Sequence, residues 1–174
     1  MANPMYGQNK ADNVIDKVRG LIGHDIAATQ HDNTTTAANV STITIPAGAL
    51  QVGSVVKVRS CINVVDNNGS DTLVAIVQLG GVAGVTSGAI DVADSDKYYF
   101  DVQMVITSIG SAGTAVAFGY VGTDATGSTL LHADQVSMAS IDTTGTVDVT
   151  INCDWSAAHA DNEMTHQWTT VELA

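Results

Sequence analysis

Positive charge is scarce in this chain: 174 residues carry 6 Lys and Arg against 18 Asp and Glu, a formal net charge of −12. A nucleic-acid binder needs cations to displace phosphate counterions, so a duplex would be repelled. Anionic membranes are disfavoured for the same reason. Beyond Lys97 there is no Lys or Arg at all, whereas Lys10, Lys17 and Arg19 place half of the cations in the first twenty residues. Aromatics make up 5% of residues, which leaves core packing to Val, Ile, Leu and Met, with Trp155 and Trp168 as large fillers. No apolar run reaches membrane-spanning length, and the opening MANPMYGQNK lacks the apolar segment of a secretory signal. Synthesis in a reducing cytoplasm is therefore expected. The only cysteines, Cys61 and Cys153, then read as small core hydrophobes rather than a disulfide.

Strand-forming residues are abundant. Residues 1–39 read as a polar arm, extended at Pro4, with a short helix over about 11–22 and a linker behind it. Val14, Ile15, Val18, Leu21 and Ile22 recur there at helical spacing, with Asp12 and Asp16 early and Lys17 and Arg19 late. A helix of three turns is marginal alone, so its apolar stripe must dock on something. Residues 40–174 read as an all-β, antiparallel two-sheet sandwich of about eight strands. In the clearest of them, Val147, Val149, Ile151, Cys153 and Trp155 alternate with Asp148, Thr150, Asn152 and Asp154. Tyr98, Phe100, Val102, Met104 and Ile106 form another inward set. Asp66-Asn67-Asn68-Gly69 reads as a hairpin turn, and residues 80–88 as a Gly-rich connection.

Candidate chemistry is thin. His159 and His166 near Asp161 and Glu163 are the only transition-metal combination, but one histidine falls in a turn and the other in a strand. Asp91, Asp94 and Asp96 have calcium-like spacing without the Gly and bidentate Glu of a calcium loop. There is no Gly-x-Ser-x-Gly elbow and no phosphate cradle around Gly80-Gly81. Tyr98, Tyr99, Tyr120 and Trp168 offer a sugar-stacking surface if they are exposed, and core packing if they are not. The expectation is no enzyme, no cofactor and no metal.

Three local patterns carry a resemblance. They are ITIPAGALQVGSVVKVRSCI at the start of the body, ITSIGSAGT in its middle and WSAAHADN before the last strand. Together with the opening MANPMYGQNKADNVID, they resemble small virion proteins of tailed phages, notably cyanophages and other aquatic phages. The resemblance implies a jelly-roll-like sandwich, usually trimeric, that decorates capsids or forms fibre and tail parts. A compact body with an arm and no long shaft implies a capsid decoration (cement) protein. It would be made in the host cytoplasm and sit on the outer capsid surface, with the major capsid protein and its own copies as partners. The anchoring residues expected from this are Pro4, Met5, Tyr6, Val14, Ile15, Val18 and Leu21. The alternative is a tail-fibre or head-fibre domain that binds host surface glycans.

Overall fold

The computed structural model describes residues 20–123 and 131–174, with the side chains of 131–134 left aside. These residues form twelve strands in two packed sheets. The strands are β1 (Gly20–Asp25), β2 (Gln30–Asp32), β3 (Ala38–Ile45), β4 (Val55–Asp66), β5 (Thr72–Leu79) and β6 (Val82–Thr86). They continue with β7 (Ile90–Asp91), β8 (Lys97–Ser108), β9 (Gly113–Thr123), β10 (Leu131–Ile141), β11 (Val147–Trp155) and β12 (Glu163–Leu173). Sheet A has the order β1-β12-β4-β8-β9-β10, with β2 also paired to β12. Sheet B has the order β3-β11-β5-β6, with β7 paired to β5. Every pairing is antiparallel.

The core lies between the sheets and follows the period-2 pattern of the sequence. Val56, Val58, Ile62 and Val64 of β4 meet Tyr98, Phe100, Val102, Met104 and Ile106 of β8 and the inward row of β11, all buried. Trp155 and Tyr98 are the largest wholly buried side chains. Each has its polar atom satisfied: the Trp155 indole N–H donates to the His31 carbonyl at 3.2 Å, and the Tyr98 hydroxyl donates to the Leu73 carbonyl at 3.0 Å.

Four strands exceed the eight expected. Of these, β6 and β7 occupy the Gly-rich connection and its sequel, and β1 and β2 occupy what reads as the arm's end and linker. Residues 20–22, the last of the expected helix, are strand. Gly20 has φ +100, outside helical space, and pairing with β12 supplies the backbone partners that a three-turn helix would have to find alone. The rest of that helix lies outside the described residues. The turn at Asp66-Asn67-Asn68-Gly69 is not a hairpin, because β4 belongs to sheet A and β5 to sheet B. It is a corner that carries the chain across the sandwich. Its Asn-Gly chemistry is that of any tight turn, so the sequence shows the turn and not which sheet follows it.

Candidate functional site

The two outer faces of the sandwich differ sharply, and the difference is written in the strand registers. On sheet A, rungs of outward residues cross four or five strands. One rung aligns Leu21, Glu172, Lys57, Gln103 and Phe118; the next aligns His24, Thr170, Arg59, Asp101 and Tyr120. A third places Trp168, Cys61, Tyr99 and Gly122 side by side. Nine large apolar side chains are exposed among the described residues, and six of them lie on this face: Leu21, Val65, Tyr99, Phe118, Tyr120 and Trp168. The other three, Ile26, Val52 and Ile109, sit in loops. Lys57, Arg59 and Lys97, the only Lys or Arg after residue 19, also point to this side. Arg59 Nε donates to Asp101 Oδ2 at 3.4 Å across β4 and β8, a partly solvated pair that contributes little to stability.

Two local devices build this face. In β12 the register slips between His166 and Trp168, so Gln167 is an extra residue. Met164 and His166 face inward before it, Thr169, Val171 and Leu173 after it, and Trp168 turns outward. In β9, Gly119 lets the strand lie close on β8. A Cβ there would stand 2.3 Å from the Asp101 carbonyl oxygen and 2.7 Å from Val102 Cα. Phe118 and Tyr120 project outward on either side of it.

The outer face of sheet B is closed on itself. Thr44 Oγ1 donates to Asp148 Oδ1 at 2.6 Å, Thr150 Oγ1 to Gln78 Oε1 at 3.0 Å, and Asn152 Nδ2 to Asn39 Oδ1 at 2.9 Å. These three bonds tie β3, β11 and β5 together across the face. The face carries Asp148 and Asp154 and no cation.

The sequence candidates fare unevenly. Tyr99, Tyr120 and Trp168 come together on the face of sheet A, joined by Phe118, which the sequence reading missed; Tyr98 is core. Trp168 is therefore not a core filler. An unbroken alternation from Met164 would bury it, and the bulge reverses that. Cys61 is likewise outward, flanked in register by Trp168 and Tyr99, yet it is buried. Cys153 belongs to the core, and burial pushes its thiol far above the ordinary range, with Asp154 adding to the shift. Neither thiol is in a disulfide.

Asp91, Asp94 and Asp96 do share a cavity of about 460 Å³ with Asn67 and Gly69. Two of the three are engaged in holding loops: Asp96 Oδ2 accepts from the Ala93 N–H at 2.6 Å, and Asp94 Oδ1 from the Asn67 N–H at 2.9 Å. His159 and Asp161 meet at 3.6 Å on the surface. His166 is instead wholly buried, with Nδ1 at 2.8 Å from the Ala27 carbonyl and Nε2 at 2.8 Å from the Thr169 hydroxyl. Among the described residues no three His, Cys, Asp or Glu side chains are grouped to hold a metal. Of the expected anchoring residues, Pro4, Met5, Tyr6, Val14, Ile15 and Val18 lie outside the described residues. Leu21 is 61% exposed on the edge strand β1.

No protein family's sequence profile matches this chain, and no curated protein matches it. Among solved structures it is similar to a legume lectin-like domain from Entamoeba histolytica, at 10% identity and a TM-score of 0.29, over 93% of this chain and 92% of that one. It is also similar to the r-CATD part of the family 18 polysaccharide lyase aly-SJ02, at 7% identity and a TM-score of 0.22, over 76% and 77% of the two chains. Likenesses this low carry no argument about fold or ligand.

Proposed function

We propose that this protein is a tailed-phage capsid decoration protein, a β-sandwich that fastens to the outer surface of a shell of major capsid protein and stabilises it. The observation that carries the reading is Leu21. It is the one expected anchor among the described residues, and it stands exposed on the edge strand β1, rather than packed in its own core. Pro4, Met5, Tyr6, Val14, Ile15 and Val18 would extend that apolar contact over neighbouring capsid subunits. Three copies around a local three-fold would add their arms' contacts through multivalency. The nested pairing of β12 with β4 and β11 with β5 suits the jelly-roll-like wrap that the resemblance implies. No reacting group is needed, because the work is adhesion. The test is co-sedimentation with undecorated capsids. Removal of residues 1–19, and separately Leu21→Asp, should each weaken binding at least tenfold; undiminished binding by both would sink the reading.

A second reading, a fibre domain that binds host glycans, is favoured by one observation. Tyr99, Tyr120 and Trp168 present partly exposed rings beside Arg59, Asp101 and Gln103, an arrangement on which a sugar's apolar face can stack while its hydroxyls are hydrogen-bonded. Glycan-array binding that disappears in Tyr99→Ala would support it. Loss of that binding with a chelator would bring in the Asp91, Asp94 and Asp96 loop.

A further inference from the structure

We infer that the outer face of sheet A is where one copy of this chain meets another. Charge is the first argument. Residues 20–174 hold three cations against sixteen carboxylates, so two copies approaching at random repel each other. All three cations, Lys57, Arg59 and Lys97, lie on this face, interleaved with Asp101 and Glu172. Asp32 and Glu163 add two carboxylates at its β2 end, so with three cations against four acids it is the broad surface nearest to charge balance among the described residues, and the one on which a second copy meets opposite charge. The outer face of sheet B has acid and no cation to meet a second acidic copy.

Apolar surface is the second argument. Tyr99, Phe118, Tyr120, Trp168 and Val65 gather on this face, and none of the nine exposed large apolar side chains is on the outer face of sheet B. Interface centres are enriched in aromatic residues and Arg, as this patch is. Size is the third. From β1 to β9 the face spans about 19 Å, and the rungs between Val55 and Asn63 run about 26 Å, using ~4.8 Å between strands and ~3.3 Å per residue. That flat footprint of roughly 500 Å², before side-chain relief is added, approaches the ~800 Å² per partner of a standard interface.

The inference concerns the isolated protein and does not depend on any shell, so it can fail while the decoration reading stands. The experiment is sedimentation equilibrium on the full chain from about 1 to 100 µM in 0.15 M salt, with circular dichroism to establish folding. Wild type should self-associate. The triple variant Tyr99→Ser, Phe118→Ser, Tyr120→Ser should raise the dissociation constant at least tenfold, while Thr42→Glu, on the outer face of sheet B, should leave it unchanged. As an internal check that avoids deleting rings, Arg59→Glu should weaken association by placing a third acid beside Asp101 and Glu172. A wild type that stays monomeric at 100 µM, or a folded triple variant that associates as wild type does, would overturn the assignment. Loss of association in Thr42→Glu equal to that in the triple variant would overturn it as well.

Discussion

Asn162 is wholly buried, and its amide ties two segments together. Its Nδ2 donates to Asp71 Oδ2 and to the Ala157 carbonyl, each at 2.9 Å, and its Oδ1 accepts from the Asn68 N–H at 3.0 Å. The corner between β4 and β5 and the loop before β12 are thus held by one side chain. Asn162→Ala would leave buried donors and acceptors without partners, so a loss of about 3 kcal/mol is expected in urea denaturation. Asn162→Asp should fare no better, since it loses both donations and sets a carboxylate against Asp71. Two groups at the same scale shape the pH dependence. Burial holds His31 below the ordinary histidine value of 6.5, outweighing the opposite pull of Asp154 and Asp32. The unfolded chain therefore binds the extra proton first. Stability from His31 is complete above about pH 6.5 and falls as the pH drops toward its folded value. Asp25 is also held low. Burial opposes this, but the Ala27 N–H, the Ser41 hydroxyl and the nearby His166 and His24 prevail, so its contribution is complete above about pH 3.8 and disappears below. Unfolding midpoints measured from pH 8 to 4 should decline first below 6.5, and His31→Gln should flatten that first decline alone.

At the level of elements, β12 shows what alternation reveals and what it hides. Its inward residues change parity, from Met164 and His166 to Thr169, Val171 and Leu173, and that change marks the bulge at Gln167. The signal is in the sequence, in the apolar parity of Val171 and Leu173, but size alone, which makes Trp168 a core filler, does not use it. Deleting Gln167 restores a regular strand with the same inward set and the same pairing to β4. The variant should therefore fold, with stability within about 2 kcal/mol of wild type. Deleting Thr170 instead turns Val171 and Leu173 to solvent, because a one-residue slip reverses every later side chain; that variant should not give a cooperative transition. The motifs behind the family resemblance belong to this level too. Leu50 of the Pro-Ala-Gly segment is buried at the corner between β3 and β4, and Asn162 closes the segment after Trp155. In the Ile109-Gly110 turn, a Cβ at Gly113 would stand 2.8 Å from the Ile141 carbonyl oxygen. All three specify corners and turns. They made the two-sheet sandwich legible, but they carry no information about a ligand. The face of sheet A escaped the reading because it is assembled by register across β1, β12, β4, β8 and β9, and register is not written in any one strand.

The whole molecule carries a charge imbalance that its fold distributes unevenly. With a net charge of −12 and its few body cations confined to one face, the carboxylates elsewhere repel one another in the compact state more than in an expanded chain. That repulsion is long-ranged and mostly exposed, so it is screened once the Debye length falls from ~30 Å at 0.01 M salt to ~3 Å at 1 M. Raising sodium chloride from 0.01 to 0.5 M should therefore lift the thermal midpoint by several degrees. The Arg59–Asp101 pair, which salt weakens, is too exposed to offset the gain. Calorimetry on the triple variant Tyr99→Ser, Phe118→Ser, Tyr120→Ser separates screening within one chain from association between chains. If the lift comes from relieved self-repulsion, the variant shows it undiminished and independent of protein concentration. If the lift arises because salt lets acidic copies approach, it grows with concentration in the wild type and is lost in the variant. A midpoint that falls with salt in both proteins would mean that attractive pairs, not repulsion, dominate the electrostatics of this sandwich.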